Sequence, residues 1–492
     1  FKLTEYKLSD LGVFTKIYPA QHPQSKQSTG EKPLVINQEL YESNAFYGEP
    51  LARAEQAGNM RGVQLANFMI APVQYNPVTN CIRVYDSLLV EVSFNQVMKS
   101  KNVENLAGKA SPYFEKAFNT LLNSNQDKSL AVTAVPVKYV IVADPMFREA
   151  LQPFVHWKTK RGFNVVQAYT GDPLVGNTTT SIKAYLKNLY TSATASDPAP
   201  TFVLFVGDVE QVPTFRCLNH VSDLYYCEYT GDYLPEAFYG RFSAGTVAEL
   251  LPQLNKTMQY EQCLAPDLSY LGNSVLAAGA DATHQLRWGN GQVNYLTSCY
   301  FNAEHNILAK TYLQPEPTNA GYAQKIKADI SQGVAFACYS AHGDVAGWSN
   351  PSFTIPDIQA LQNNGKYPLI VANSCQTAAF DLQSFGEEMV RAENKGALGY
   401  IGTTDLSYWD EDFWWTVGNG SISANPTYET SGPGAYDRIF HTHGEPRPEW
   451  CNTMGQMVFA GNMAVQASNS GLKQYYWEIY CLLGDPSTMI YF

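Results

Sequence analysis

Charge is scarce in this chain and carries no basic excess. Of its 492 residues 16% are charged, and 45 acidic side chains outnumber 33 basic ones, for a net charge of −12. The basic footprint that nucleic-acid binding requires is therefore missing. The acidic balance gives basic peptides only a weak long-range attraction. No apolar run reaches the roughly 20 residues of a membrane-spanning helix. No Cys-x-x-Cys pair occurs among the nine cysteines, which argues against a zinc ribbon, and their wide spacing does not suit a disulfide scaffold. An odd count leaves at least one thiol free. The chain starts at Phe1 with neither an initiator Met nor a signal peptide, as in a protein whose export signal has been removed or a chain prepared to start there.

What is present is a globular apolar content of 45% over a length that exceeds one ordinary core, so two or three domains are expected. The stretch around which the chain is organised is 334–375. Two apolar runs, Val334–Tyr339 and Pro368–Asn373, read as buried strands. The first leads to His342 followed by Gly343, the second to Cys375. In open α/β sheets, ligands bind at the carboxyl ends of strands. Adjacent placement of these runs would set an imidazole beside a thiol, the pairing that a cysteine nucleophile needs. Singly, such a Cys is more often a small core residue and such a His a solvated one.

Residues 1–128 do not read as α/β. Gly62–Ile70, Cys81–Val84 and Ser87–Val92 are short strand-like runs separated by Pro/Asn turns, which predicts a small β-sandwich. The hydrophilic stretch 123–130 reads as a linker and cleavage site, with Lys128 the candidate activation point. From Val137 onward strands alternate with helices, predicting an α/β fold of parallel sheets flanked by helices. Two sub-domains are expected, 129–265 and 266–492, with a closing strand at Thr488–Tyr491. Thr246/Glu249 and Ser384/Glu387 have the spacing of capping boxes.

The ordered motifs YSAHG (339–343), Trp348, NSC (373–375) and the block 384–404 resemble the gingipain family (C25) of caspase-like, clan CD cysteine peptidases. Upstream, VHWKTKRG (155–162), LFVGD (204–208), SDLYY (222–226) and YGRFS (239–243) fit the same resemblance, as does GDPST (484–488). It covers roughly 137–492. Residues 72–94 resemble the pro-domain that precedes such catalytic domains.

The resemblance implies a secreted or cell-surface bacterial endopeptidase in zymogen form. Cys375 is then the nucleophile and His342 the general acid/base, used mainly to protonate the leaving amine. Asp281 would orient the imidazole, unless it merely caps the helix that follows. The backbone N–H groups of Gly343 and Cys375 would form the oxyanion hole. At the position of the acid of the Arg-specific branch stands Gly289. The pattern of the Lys-specific branch falls on Trp409 and Asp412, predicting lysine at P1, with Asp410 and Glu411 as competing acids. Trp348 joins Trp409 and Asp412 as a substrate-binding candidate. No cofactor is expected for catalysis. Structural calcium or sodium is implied, with Asp223 and Asp232 as candidate oxygen donors. The pro-domain is expected to act as an intramolecular inhibitor by placing a basic residue in the acidic pocket, with Lys101, Lys109, Arg53 and Arg61 as candidates. Alternatives are Arg-preferring or mixed basic specificity, a catalytically inactive binding protein, or a transpeptidase.

Overall fold

The computed structural model describes residues 2–28, 32–92, 108–123, 137–316 and 321–492. The chain divides into two compact units, Phe1–Pro23 with Ser28–Asn102, and Gln24–Gln27 with Val103–Phe492. The expected boundary near 128 is thus displaced: the short segment Gln24–Gln27 clusters with the second unit, as does the helix Pro112–Phe118. Lys128 and Lys101 lie outside the described residues.

The first unit holds β1 (Lys2–Lys7), β2 (Ala52–Met60), β3 (Val63–Ile70), β4 (Val73–Asn76) and β5 (Cys81–Ser87). These form two antiparallel sheets, β1-β5-β4 and β2-β3. The strand expected at Ser87–Val92 does not form. Lys2 of β1 already stands opposite Ser87, so nothing remains for residues 88–92 to pair with, and Leu89 is exposed.

The second unit contains β6 (Val137–Ala143), β7 (Phe163–Tyr169), β8 (Pro200–Val206), β9 (Phe215–Cys217), β10 (His220–Ser222), β11 (Phe238–Phe242), β12 (Asn273–Ala278), β13 (Leu308–Tyr312) and β14 (Phe336–Ser340). β15 (Gly343–Asp344), β16 (Gly347–Trp348), β17 (Phe353–Thr354), β18 (Leu369–Asn373), β19 (Gly399–Thr403) and β20 (Tyr480–Leu483) follow. Ten strands make one sheet in the order β13-β12-β14-β18-β19-β20-β11-β8-β6-β7. Its central strands are apolar and buried along their whole length, as a parallel sheet covered on both faces requires.

The two expected α/β halves therefore share a single sheet. They are joined by β20, which runs antiparallel to β19 and parallel to β11. This strand, not Thr488–Tyr491, closes the sheet. Its sequence YCLL is a continuous buried apolar run, whereas residues 488–491 contribute a single bridge, Thr453 to Met489. Ser384 and Glu387 form the anticipated capping box at the start of the helix Phe385–Arg391. No helix among the described residues is long and apolar enough to cross a membrane.

Candidate active site

Strand register brings the site together. Ser340, the last residue of β14, is the register partner of Asn373, the last residue of β18, and Ala278 of β12 is the partner of Ser340 on its other side. His342 and Cys375 each lie two residues past that pair, and Asp281 lies three past Ala278. All three leave the same edge of the sheet, at the carboxyl ends of adjacent parallel strands.

The imidazole of His342 is held at both nitrogens. Nε2 lies 2.9 Å from Asp281 Oδ2, and Nδ1 meets the backbone carbonyl of Lys26. Both partners are oxygen acceptors. Asp281 contacts both the imidazole and the turn that follows it. While Oδ2 faces His342, Oδ1 accepts from the backbone N–H of Thr283 (2.9 Å) and of His284 (2.7 Å), and lies 2.9 Å from the His284 ring. Burial pushes its carboxyl pKa up, but these hydrogen bonds outweigh burial and hold it at about 2. Because this folded pKa is depressed, the stabilisation it represents is present above the ordinary carboxylate range. It is lost as pH falls from about 4 to about 2.

Cys375 is fully buried. Its sulfur accepts the backbone N–H of Ser407 at 3.3 Å. Burial pushes the thiol pKa up, as does Asp412, while Ser407 and the Lys26 ammonium pull it down. Among the described residues no hydrogen bond joins the sulfur to the His342 ring. The direct thiol–imidazole contact anticipated from sequence is replaced by a site in which one residue, Lys26, touches the surroundings of both.

Lys26 was not among the sequence candidates. Residues 24–26 lie along 407–409 in the manner of an added antiparallel strand. Lys26 N–H donates to the Ser407 carbonyl (2.9 Å), Trp409 N–H donates to the Gln24 carbonyl (3.2 Å), and Ser25 bridges Tyr408. The Lys26 side chain is wholly buried. Its ammonium lies 2.7 Å from Asp412 Oδ2 and donates to the Asn373 carbonyl (2.6 Å) and to Ser340 Oγ (3.3 Å). The ammonium thus makes one ion pair and two hydrogen bonds. The Trp409 ring flanks the ammonium at 4.7 Å and packs edge-on to His342 on one side and flat against His284 on the other.

A supporting layer fixes this floor. Asp412 Oδ1 accepts from Tyr476 (2.9 Å) and Tyr480 (2.6 Å). Gln292 links the two strand ends, donating to Ser340 Oγ (2.9 Å) and accepting from Asn373 Nδ2 (2.8 Å). Asp412 is therefore the acid that faces the lysine. Its competitors are engaged elsewhere: Asp410 accepts from Trp288 Nε1, and Glu411 accepts from Ser470, with its carboxyl pushed up to about 7 by burial.

Other candidates fall away from the site. Trp348 is a core residue, stacked on Tyr339 at 4.5 Å and packed against Phe353 and Phe385, so it is corrected from substrate binding to support beneath the site. Gly343, by contrast, stays beside the site, where an added Cβ would lie 3.0 Å from the Ser374 Cβ. Lys109 lies over the Tyr190 ring, and Arg53 pairs with Glu49 and Glu55. Arg61 is buried within the first unit. Asp223 does not fit a hard-cation site, since both its oxygens are taken by the buried guanidinium of Arg241 at 2.8 Å. Asp232 Oδ1 closes its own turn on Leu234 N–H. All nine cysteines are unpaired thiols.

An open α/β sheet with a thiol, an imidazole and a carboxylate at one carboxyl-end edge defines the architecture of a caspase-like cysteine peptidase. The profile of peptidase family C25 matches residues 133–491, and that of the C25 propeptide matches 13–116. The chain belongs to peptidase family C25. It is 36% identical to Lys-gingipain of Porphyromonas gingivalis over 99% of its own length and 28% of that protein's, and 25% identical to Gingipain R2 of the same organism over 74% of its length and 49% of the relative's. The chain thus spans about a quarter of the length of the Lys-gingipain relatives. A solved structure described as a protease superposes with a TM-score of 0.68 at 36% identity, covering 72% of this chain and 79% of the other. The arginine-specific cysteine proteinase gingipain R shares the fold, with a TM-score of 0.59 at 21% identity over 73% of this chain and 79% of its own.

Proposed function

We propose that this chain is the zymogen form of a secreted, gingipain-like cysteine endopeptidase that hydrolyses peptide bonds after lysine. The observation that carries the reading is Lys26. Its side chain fills an acidic, buried pocket, its backbone pairs as a strand with the pocket wall, and its carbonyl faces the His342 imidazole. This is how a P1 lysine of a substrate would lie. The relatives' names point the same way, towards Lys-gingipain.

In the open enzyme a substrate lysine takes the place of Lys26. The Cys375 thiolate attacks its carbonyl carbon, and the developing oxyanion is held by the backbone N–H groups of Gly343 and Cys375. The His342 imidazolium gives its proton to the leaving amine, and the neutral ring then assists water in releasing the acyl group. Asp281 keeps the ring in place and stabilises its charged form. Arginine fits the floor less well. Its planar fork carries five donors, whereas the floor offers Asp412, Asn373 and Ser340 at the reach of a lysine, leaving guanidinium donors buried and unpaired.

A digest of a peptide library with the processed enzyme tests this reading. Cleavage concentrated after lysine, and absent in Cys375→Ala, is the expected result; equal cleavage after Lys, Arg and Leu would refute it. Asp281→Asn lowers kcat on lysyl substrates by about 10²-fold or more, because the imidazolium loses its counter-charge. Unchanged kcat would reduce Asp281 to a helix cap.

Latency follows from the same geometry. With Lys26 in place the pocket is full, and Cys375 is buried with its thiol pKa raised. In the zymogen, Lys26→Ala speeds alkylation of Cys375 by iodoacetamide at least tenfold, on the argument that opening the pocket removes the desolvation that suppresses the thiolate. Peptide mapping of the alkylated chain reads this; an unchanged rate at Cys375 removes Lys26 as the latch.

A further inference from the structure

One cluster of soft and charged side chains is used neither by the proposed chemistry nor by the core. The hairpin of β9 and β10 turns through Leu218 and Asn219, and its last register pair sets Cys217 directly opposite His220. The helix Lys473–Ile479 brings Glu478 to the same spot. One ligand atom from each of Cys217, His220 and Glu478 lies within 4.8 Å of the other two. His220 Nε2 stands 3.0 Å from Glu478 Oε2. His220 and Glu478 are buried, while Cys217 is half-buried beside the exposed tip residue Leu218, which gives an ion a path in from solvent.

We propose that Cys217, His220 and Glu478 form a zinc site, with a water completing a four-coordinate shell. Thiolate, imidazole and carboxylate are the donors that Zn²⁺ takes, and three protein ligands leave one open position. The surrounding residues are those a metal site needs behind its ligands. The other ring nitrogen of His220 faces Asp405 Oδ2 at 3.5 Å, the carboxylate–histidine arrangement that fixes a ligating imidazole. Glu478 Oε1 accepts from Tyr225 and from Gln474 Nε2 (2.9 Å), which leaves Oε2 for the ion. Binding displaces the Cys217 thiol proton and the His220 Nε2 proton to solvent as the Zn–S and Zn–N bonds form, and no electron is transferred.

The ion would tie the hairpin and the last helix to the loop after β19. That loop carries Asp405, whose carbonyl accepts from Gln376 N–H beside Cys375 (3.0 Å), and then Leu406, whose carbonyl accepts from Tyr475 (2.8 Å). Ser407 and Trp409, which line the proposed lysine pocket, follow directly. The site would brace the pocket wall without entering the reaction.

The test uses the full chain carrying Cys375→Ala, which removes the proposed catalytic thiol as a competing ligand and blocks self-processing. After chelation, titration with Zn²⁺ is expected to show one ion bound per chain and a rise in the thermal midpoint. Co²⁺ is expected to give a thiolate charge-transfer band that disappears in Cys217→Ser. Asp405→Asn weakens Zn²⁺ binding roughly 10- to 100-fold without abolishing it. The proposal is overturned if the parent binds no Zn²⁺, which would leave His220 as an imidazolium between two carboxylates. It is equally overturned if Cys217→Ser and His220→Ala bind as the parent does. Should His220→Ala fail to fold, Cys217→Ser, a near-isosteric change at the half-buried hairpin, decides alone.

Discussion

Cys375→Ala is expected to lower kcat/KM on lysyl peptides by on the order of 10⁴-fold or more, the loss that follows when an enzyme's nucleophile is removed. The folding cost of the substitution is small by comparison, on the order of 1 kcal/mol, since one buried sulfur is removed and Ser407 N–H loses a weak acceptor. Circular dichroism and the thermal midpoint of the variant should therefore stay close to those of the parent while turnover disappears. His342→Ala is expected to show a comparable loss. Its distinguishing feature is that the Cys375 thiol persists, so the variant can still be alkylated once the pocket is opened. If Cys375→Ala retained appreciable lysyl hydrolysis, the sulfur would not be the nucleophile and the chemistry would have to be sought elsewhere.

Asp412→Asn is expected to remove the preference for lysine. The carboxylate sits at the bottom of a wholly buried pocket, 2.7 Å from the Lys26 ammonium, with its second oxygen held by Tyr476 and Tyr480. Removing one partner of such a desolvated, hydrogen-bonded charge pair costs about 2–5 kcal/mol. At about 1.4 kcal/mol per tenfold, this is a loss of roughly 30-fold to several thousand-fold in kcat/KM for lysyl substrates. Peptides with an uncharged P1 residue gain nothing from Asp412 and should change little. The ratio of lysyl to leucyl kcat/KM is the decisive quantity; if both fall by the same factor, Asp412 supports the fold and does not select the substrate. The same substitution is expected to loosen the zymogen, because Lys26 and a substrate lysine meet one carboxylate. Latency and specificity should therefore weaken together, whereas Lys26→Ala should release latency and leave specificity intact.

Much of the site could be read because the motifs mark strand ends. YSAHG and NSC each follow a continuous apolar run, and a buried parallel strand has few other ways to read. Ser340 and Asn373, which accept from the Lys26 ammonium, stand inside those same motifs and become visible once the register is known. Tyr476 and Tyr480, spaced i, i+4 in QYYWEIY, carried a weaker signal: two aromatic residues at helical spacing read first as core. Trp348 shows the converse, since an aromatic residue close to a proposed site in sequence can still point into the core beneath it. Lys26 lies in a polar stretch, QSKQ, with no periodicity and no motif. Nothing local distinguishes it from the other basic residues of the N-terminal region.

By itself, the sequence determined the alternation of strands and helices and the residues that end the strands, because each depends on local pattern; Asp412, in the helix Trp409–Val417, was implied by the family resemblance. Tertiary structure alone decided that β20 enters the sheet between its two halves and that Lys26 is the residue held by Asp412. Those outcomes depend on pairing between segments tens to hundreds of residues apart, where the geometry of the folded chain, and not residue type or spacing, determines which charge meets which.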